Sequence, residues 1–296
     1  MAIPLFINPT AGRGRAGKST ASLRLLLDAN EIDYNLIESS FSGDIEEQVA
    51  ATTSNGVREI IVAGGDGSIH EAVNGVMRGG GTAALGVIPM GTGNDFVKSC
   101  SIPLHWEDAT TLLADRIRSG APIRSVDIGR MNERFFSNGA GIGFDAQVTR
   151  IAQNMRWPIG DLVYLLAVFR GMWAGIGTPE LQIACLGETY EGSVTLVNVS
   201  NGEWVGGMFN IAPGARNDDG ELNLVYADAV SRRRVLSLLP KLLRGTHLRE
   251  PEITHRQIKR CTIIAAAPVP SHLDGEIQPL QTCFDFEIVE NGLRLL

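Results

Sequence analysis

The sequence of 296 residues predicts an α/β N-terminal domain followed by a β-rich C-terminal domain. In the first part, short apolar strands alternate with helical patterns, which is typical of a parallel sheet covered by helices on both faces. From about Pro122, strands joined by short turns predominate, and this pattern favours antiparallel sheets. The length also fits two domains better than one. We assign residues 1–124 to the first domain and 125–296 to the second, whose last strand is a candidate to return to the first.

The first domain shows its elements in strand–helix order. An apolar strand at residues 3–8 precedes a helical pattern with Leu23, Leu26 and Leu27 on one face. Later segments begin at Tyr34, Ile45, Glu59 and Ala84, and the last helix runs through Ala109–Ile117.

Three glycine-rich turns follow predicted strands, at residues 8–14, 64–67 and 91–93. Ligands bind at the carboxyl ends of the strands in such sheets, so we expect these turns to converge on one edge. The middle turn, Gly64-Gly65-Asp66-Gly67, leads into a helix whose N-terminal N–H groups and dipole attract anions. The sequence therefore favours a phosphate site here. A tight strand-to-helix turn with Asp66 near the N-cap is the alternative.

A second stretch, Gly12–Ser19, matches the Walker A pattern G-x-x-x-x-G-K-[ST]. A Walker A loop follows its strand directly, whereas residues 8–11 intervene between the apolar strand and Gly12. We interpret this match as a coincidence.

The second domain is predicted to consist of antiparallel strands interrupted by two helices. The strand segments begin at Arg124, Arg134, Glu180, Tyr190, Glu221, Gln257 and Cys283. The helical segments lie around Asp161–Trp173 and Arg232–Arg244. The first of them falls short of a membrane-spanning length and carries Arg170 near its middle. We expect Trp157, Trp173 and Trp204 to be packing residues.

Composition and charge exclude several classes of protein. The formal net charge of −7 argues against a general nucleic-acid binder. The four cysteines are widely spaced without a CxxC pair, which argues against a disulfide framework or a zinc site and favours a reducing compartment. The N-terminal segment lacks the basic region of a signal peptide. We therefore predict a cytoplasmic protein.

Five segments, in this order, resemble the diacylglycerol kinase catalytic family, and most closely its soluble bacterial lipid kinases. They are NPTAGRGRA from Asn8, GGDGSIHEAVNGV from Gly64, PMGTGNDF from Pro89, NDDGELNL from Asn217 and LDGE from Leu273. The resemblance covers nearly the whole chain, and the ordered set is what makes it specific. It implies an α/β nucleotide-binding domain of the NAD kinase and diacylglycerol kinase type, a C-terminal β-sandwich, and an active site in the cleft between them. It also implies transfer of the ATP γ-phosphate to a lipid hydroxyl.

The resemblance further implies which residues contact ATP. They are Asn8, Ser39, Gly64, Gly65, Asp66, Gly67, Ser68, Ile69, His70 and Thr92. Family members usually have threonine at the position of Ser68 and asparagine at the position of His70. Serine keeps the hydroxyl group, whereas histidine is bulkier and can carry a charge.

The LDGE segment offers two carboxylates around a glycine. Phosphoryl transfer depends mainly on positioning and charge stabilisation, but the attacking hydroxyl also needs a proton acceptor. In an extended strand, Asp274 and Glu276 would share one face. The resemblance implies that Glu276 accepts the proton with support from Asp274, while Asp66 acts beside the magnesium ion of ATP. A plain Asp-Gly hairpin turn is the alternative.

Two metal sites are predicted. Asp127 is a candidate to join Asp66 near the magnesium ion that accompanies ATP. The resemblance also implies a structural magnesium or calcium ion held by Asp219 and the carbonyl groups of Arg216 and Glu221. An ordinary solvated turn is the alternative for this second segment.

A lipid substrate implies reversible contact with a membrane surface. The second domain has a basic stretch that includes Arg232–Arg234, Lys241 and Arg244, and each basic residue near an anionic leaflet contributes about 1 kcal/mol. We expect this stretch and the apolar segment at Leu162–Trp173 to face the lipid, with a solvated helix face as the alternative. A homodimer is left open.

Two other functions compete with a lipid kinase. An NAD kinase-like enzyme shares the glycine–aspartate loop, but PMGTGNDF and LDGE favour a lipid acceptor. A non-catalytic nucleotide-binding or lipid-binding protein has no need of Asp66, Asp274 and Glu276. The sequence therefore favours an ATP-dependent lipid kinase with ATP, a membrane lipid and magnesium as its partners.

Overall fold

The computed structural model describes residues 2–155 and 162–296. Trp157 and Asp161, which we expected in packing and at a helix start, lie outside the described residues. The chain divides into two compact units, residues 1–127 with 290–296, and residues 128–289. The predicted fold class, α/β followed by a β-sandwich, is confirmed.

The first unit alternates strands and helices. Its elements are β1 (Ile3–Ile7), α1 (Ala11–Ala29), β2 (Tyr34–Glu38), α2 (Asp44–Ser54), β3 (Glu59–Gly64), α3 (Asp66–Arg78), β4 (Ala84–Pro89), α4 (Asp95–Ser99), α5 (Trp106–Ser119) and the start of β5 (Arg124–Met131).

The second unit is rich in strands. Its elements are the end of β5, β6 (Arg134–Phe136), β7 (Gly139–Gly143), α6 (Phe144–Gln153), α7 (Leu162–Ala174), β8 (Glu180–Cys185), β9 (Glu188–Ser200), β10 (Trp204–Val205), β11 (Phe209–Asn210), β12 (Leu222–Asp228), α8 (Arg232–Leu243), the 3₁₀ turn His247–Arg249, β13 (Ile253–Ile258), β14 (Arg260–Leu273) and most of β15 (Glu276–Leu295).

The sheet of the first unit is parallel, in the order β2-β1-β3-β4. The last residues of β15 add a further parallel strand, because Arg294 and Leu295 pair with Ala84 and Leu85. Every residue of β4 is buried, as expected for a strand covered on both faces. Leu23 and Leu27 of the predicted apolar helix face pack into this core, whereas Leu26 of α1 is half-buried and lies outside it.

The sandwich of the second unit is built on two long antiparallel strands, β9 and β14. Each of them pairs with β7 over one part of its length and with β8 over another. β12 and β13 continue the sheet from β9, and β15 continues it from β14. Alternate side chains of these strands form one apolar core that includes Phe136, Phe284 and Phe286.

Three helices, α6, α7 and α8, pack into a second apolar cluster of this unit around Phe144, Val168 and Leu239. The sequence pattern did not predict α6. The expectation that Trp173 packs in the interior is wrong, because its side chain is 85% exposed. Among the residues that the structure describes, no helix combines the length and apolarity needed to cross a membrane.

Candidate active site

The turns after β1, β3 and β4 lie together at the carboxyl edge of the parallel sheet, as the strand order requires. Asn8 links two of them, because its Nδ2 donates to Ser68 Oγ at 3.3 Å. Its Oδ1 accepts from both the N–H and the hydroxyl of Thr10, at 3.0 and 2.7 Å. Asn8 thus fixes the first turn against the start of α3.

The glycines at this edge are required by close backbone contact. A Cβ atom on Gly65 would lie 2.9 Å from Gly91 Cα, and one on Gly91 would lie 2.5 Å from Gly65 Cα. A Cβ atom on Gly64 would lie 2.4 Å from the side chain of Ser68. Glycines therefore let the loops after β3 and β4 touch, which explains why a strand leaves the sheet through two consecutive glycines.

Asp66 begins α3 and also holds the next loop. Its Oδ1 accepts the N–H groups of Asp95 at 2.7 Å and Phe96 at 3.4 Å, so it satisfies N-terminal donors of α4. The N–H groups in the first turn of α3 have no acceptor within their own helix, which gives this edge of the sheet affinity for an anion.

The loop after β4 carries a buried acceptor without a partner in the described part of the chain. Asn94 has a left-handed backbone with φ of 51° and donates from Nδ2 to Gly91 O at 3.3 Å. Its Oδ1 is buried and accepts no hydrogen bond there. A buried carboxamide oxygen of this kind is suited to a donor group of a ligand.

The Walker A match does not form a phosphate loop. Gly12, Arg13 and Gly14 adopt left-handed backbone angles, and the lysine and serine of the match lie within α1. Arg15 instead bridges two turns, because its Nη2 donates to Gly91 O at 2.9 Å and its Nε donates to Gly12 O at 3.2 Å.

Other residues predicted to contact ATP lie at different depths. Thr92 is exposed and Ser39 is half-buried, with the N–H of Ser39 bonded to Ile7 O at 2.9 Å. Ile69 and His70 are buried inside the unit. His70 Nε2 lies 3.4 Å from Nδ2 of Asn74, one helical turn away. The assignment of these residues to ATP stays a prediction.

The LDGE segment is a two-residue hairpin turn between β14 and β15. Leu273 pairs with Glu276, and the turn residues Asp274 and Gly275 have φ of 49° and 89°. These values are those of a type I′ turn, for which Asp-Gly is strongly preferred. The interpretation that Asp274 and Glu276 share a face of an extended strand is therefore wrong, because the chain reverses between them.

The carboxylate of Asp274 is bound by the loop before β7. It accepts the N–H groups of Ser137 and Asn138, both at 2.8 Å, and of Gly139 at 3.0 Å. The hydroxyl of Ser137 lies 3.2 Å from the same carboxylate. With four donors around it, Asp274 fixes the position of the turn, whereas Glu276 begins the strand that leaves it.

An apolar cleft lies in the second unit between α7, α8 and the sheet, with about 900 Å³ of empty space counted with its opening to solvent. Tyr164 and Val168 of α7 line one part, and Leu238 and Leu242 of α8 line another. Asp145 of α6 is one of the few charged groups in its wall. A cleft of this composition is suited to a hydrocarbon chain.

Comparison with known families finds a matching family model for each of the two units. Residues 2–131 match the diacylglycerol kinase catalytic domain, and residues 139–296 match the YegS C-terminal NAD kinase beta sandwich-like domain. The chain belongs to the diacylglycerol kinase family. The resemblance expected from the five sequence segments is thereby confirmed.

Relatives in this family are similar over most of their length. A diacylglycerol kinase of Bacillus subtilis (strain 168) is 28% identical over 92% of this chain and 88% of its own, and one of Mycobacterium tuberculosis is 29% identical over 93% and 88%. A crystal structure of a diacylglycerol kinase from Bacillus anthracis str. Sterne shares the fold with a TM-score of 0.73 at 22% identity. A second structure from that organism gives a TM-score of 0.81 at 25% identity, and both cover 99% of this chain and 96% of their own.

A kinase of this family is expected to use a divalent metal with ATP. Magnesium bound to ATP takes most of its ligands from phosphate and water, and one or two from protein carboxylates. Within residues 2–155 and 162–296, no three His, Cys, Asp or Glu side chains form a complete protein metal site. Asp66 fits the smaller requirement, as a single carboxylate at the turn predicted to bind phosphate. Asp127 is buried and its Oδ1 accepts the N–H of Asn291 at 2.7 Å, which points to a structural role.

The segment predicted to hold a structural metal forms a turn of its own. Asp219 Oδ1 accepts the N–H of Glu221 at 3.1 Å, and Arg216 Nε donates to Asp218 Oδ1 at 2.9 Å. These bonds are those of a polar turn. A metal at Asp219 and the carbonyls of Arg216 and Glu221 stays a prediction.

Three residues near the predicted site were not identified from the sequence. Arg15 lies in the segment NPTAGRGRA, but its role depends on a loop 76 positions away. Glu71 accepts the N–H groups of Gly43 at 2.8 Å and Ile45 at 3.1 Å, and so holds the loop after β2.

In the second unit, Asp145 was missed because α6 was not predicted. The residue that it contacts, His272, directly precedes the LDGE segment.

Proposed function

We propose that this protein transfers the γ-phosphate of ATP to the hydroxyl group of a lipid, diacylglycerol or a related alcohol. The observation that carries the proposal is found in the second unit. An apolar cleft lies in the same unit as the turn that precedes Glu276. Asp145 connects the two, because its side chain lines the cleft and lies 3.4 Å from His272, which contacts the turn. This combination favours a lipid acceptor over NAD, which has no hydrocarbon chain to occupy an apolar cleft.

ATP is assigned to the first unit. The loops after β1, β3 and β4 meet there, and Gly65 and Gly91 allow the backbone to approach a phosphate chain closely. The first turn of α3 supplies N–H groups, and Asn8 and Ser68 hold the turn in place. Asp66 would be the carboxylate that holds the magnesium ion of ATP, and that ion would neutralise phosphate charge.

The acceptor chemistry is assigned to the second unit. The lipid hydroxyl attacks the γ-phosphorus, the bond from that phosphorus to the bridging oxygen breaks, and ADP leaves. Glu276 accepts the hydroxyl proton, and such a positioned base typically contributes about 10²–10⁴-fold to the rate. Asp274 does not compete for that proton, because its carboxylate is held by three backbone N–H groups and a hydroxyl.

Access to the lipid is assigned to the outer face of α7. Leu162, Leu166, Phe169 and Trp173 recur at helical spacing and are all exposed, while the opposite face of the helix lines the cleft and the core. This arrangement supports peripheral contact with a membrane. ATP as the phosphate donor places that contact on the cytoplasmic side.

The basic stretch on α8 contributes less than expected. Arg234 pairs with Glu250 and Glu252, and Lys241 pairs with Glu250 at 2.6 Å. Arg234 and Lys241 therefore form ion pairs within the unit. Of the basic stretch that we expected to face lipid, we now propose only exposed residues such as Arg232 and Arg233.

The test is transfer of labelled γ-phosphate from magnesium-ATP to a panel of lipid alcohols in mixed micelles, with NAD as a separate acceptor. Glu276→Gln is expected to lose about 10²-fold or more in kcat. Glu188→Gln is a matched control, because Glu188 also begins a strand directly after a two-residue turn, Leu186-Gly187, with both φ values positive. We expect this control to keep wild-type activity.

The outcomes separate the candidate functions. Label in a lipid that is lost only in Glu276→Gln supports the proposal and identifies the substrate class. Label in NAD would show an NAD kinase-like enzyme. Binding of ATP without transfer to any acceptor would show a nucleotide-binding protein instead.

A further inference from the structure

A buried histidine lies directly against the turn that precedes Glu276. His272 is 2% exposed, and its Nδ1 accepts the N–H of Gly275 at 3.3 Å. An acceptor nitrogen cannot carry a proton, so the neutral ring must carry its proton on Nε2. The contact therefore fixes both the tautomer of His272 and the direction of the Gly275 N–H.

The other ring nitrogen faces a carboxylate from a different element. His272 Nε2 lies 3.4 Å from Asp145 Oδ2 on α6, and Asn198 Nδ2 on β9 donates to the same oxygen at 3.2 Å. The second amide atom of Asn198, Oδ1, accepts the hydroxyl of Ser200. Burial raises the pKa of Asp145, but His272 and Asn198 outweigh it and hold this pKa below its usual value. An ionised Asp145 thus favours the proton on Nε2 and leaves Nδ1 to the turn.

The backbone of β7 closes over this pair. Gly141 is the strand partner of His272, and a Cβ atom on it would lie 2.3 Å from Asp145 Oδ2 and 2.4 Å from His272 Nε2. Only a glycine leaves room for the two side chains at this point. The carbonyl of Gly275 is held as well, because Gln153 Nε2 donates to it at 2.8 Å. The N–H and the carbonyl of Gly275 are therefore both fixed by side chains, those of His272 and Gln153.

We propose that His272 is a positioning residue that sets the direction of the Gly275 peptide group and thereby the position of Glu276, and that Asp145 selects the tautomer of His272 that accepts the Gly275 N–H. The inference rests on the proposed function, in which Glu276 accepts the proton of the lipid hydroxyl. Glu276 follows Gly275 directly, so a rotation of the Gly275 peptide group displaces the first residue of β15. A displacement of about 1 Å at a reacting group can cost on the order of 10²-fold in rate.

Two substitutions of His272 separate its two nitrogens. In His272→Asn, the Oδ1 atom takes the place of Nδ1 and still accepts the Gly275 N–H, while the contact with Asp145 is lost. In His272→Gln, the Nε2 atom takes the place of the ring Nε2 and keeps an N–H group beside Asp145, while the acceptor for Gly275 is lost. A role in packing alone predicts similar effects of the two variants.

The expected result is a difference in kcat at little change in KM. His272→Gln should have a kcat about 10- to 100-fold lower than that of His272→Asn, because asparagine keeps an acceptor for the Gly275 N–H and has no ring tautomer for Asp145 to select. KM for ATP should remain within about twofold in both, because the nucleotide loops belong to the other unit. His255→Asn and His255→Gln serve as controls, since His255 lies on β13 of the same unit and contacts Asn223 Oδ1 at 2.9 Å.

A second readout does not depend on activity. In a ¹⁵N-labelled sample, the Gly275 amide proton should be protected from exchange in the wild type and in His272→Asn, and should lose that protection in His272→Gln. Equal kcat in the two variants, or loss in His272→Asn alone, would overturn the inference. Unchanged protection of Gly275 in both would also overturn it. If the wild type transfers no phosphate, the proposed function fails by itself and the amide signal alone decides whether the pair holds the turn.

Discussion

At the scale of single residues, the glycines after β3 are determined by contacts between loops. Gly65 has φ of −99°, an angle that any residue can adopt, so its backbone conformation does not require glycine. The requirement is steric, because a Cβ atom would meet Gly91 Cα at 2.9 Å and a backbone atom cannot move aside as a side chain can.

Gly65→Ala is therefore expected to push the loops after β3 and β4 apart. We expect a loss of about 1–3 kcal/mol in the free energy of unfolding and weaker binding of ATP. Denaturant unfolding and a nucleotide titration measure the two effects. Gly177→Ala is the control, because a Cβ atom there would meet nothing within 4 Å and the backbone angle is ordinary. Wild-type ATP affinity and stability in Gly65→Ala would show that the loops do not need this contact.

Residue roles were predictable where they depend on local pattern and not where they depend on distant partners. Gly64–Gly67 were expected at a phosphate site because a strand end and a helix start can be identified in the sequence, whereas Asn8 was expected there from the family resemblance. The hydrogen bond from the Asp95 N–H to Asp66 and the contact between His272 and Asp145 join residues far apart in the chain. Such pairs depend on loop and helix geometry, which no spacing in the sequence reports.

At the scale of elements, ion pairs as well as an apolar face hold α8 against the rest of the second unit. Ser231 caps the helix, since its Oγ accepts the N–H of Arg234 at 3.3 Å. Arg234 and Lys241 then bind the segment before β13 through Glu250 and Glu252. Arg234 and Lys241 lower the pKa values of both carboxylates through these contacts.

Arg234→Ala should lower the thermal midpoint more than Arg233→Ala, whose side chain is exposed. The pKa values of Glu250 and Glu252 are lowered in the folded state, so their pairing stabilises the fold fully above the unfolded pKa of about 4.3. That stabilisation is lost as the pH falls through the folded values. The difference between wild type and Arg234→Ala should hence be largest near pH 7 and shrink below about pH 4.3. A difference that stayed constant over this range would contradict the ion-pair explanation.

Elements were predicted best where periodicity is long. Helix α8 and most strands of the sandwich agree with their sequence patterns, whereas the strand predicted from Gln257 is divided between β13 and β14. α6 has only Phe144–Gln153 and follows a strand made largely of glycine. In the LDGE segment the error lay in the backbone conformation. An Asp-Gly turn was the alternative, but the carboxylates of Asp274 and Glu276 were placed on one face of an extended strand. The segment instead forms the type I′ turn that Asp-Gly prefers.

At the scale of the whole molecule, the alternation of strands and helices followed by a strand-rich part was enough to predict an α/β domain before a β-rich one, and the family resemblance supplied the β-sandwich. The surface proposed to face lipid was only partly predictable, because charge alone does not show which cations are already paired. Arg234 and Lys241 are paired, whereas α7 presents an apolar stripe with Trp173 85% exposed. The proposed membrane contact therefore rests on α7 more than on α8.

Phe169→Ala and Trp173→Ala are each expected to weaken binding to vesicles that contain anionic phospholipid. Burying one large apolar side chain in a membrane surface contributes about 2 kcal/mol, which corresponds to roughly 30-fold in the binding constant. Sedimentation with vesicles measures this change, and Leu25→Ala on α1 is the control, since Leu25 is 72% exposed in the first unit. Phosphate transfer to lipid in detergent micelles should fall less than transfer to lipid in vesicles, because micelles present the lipid without requiring a planar surface. If both α7 variants sediment with vesicles as the wild type does, α7 is not the lipid-facing surface, and exposed cations such as Arg232 and Arg233 become the next candidates.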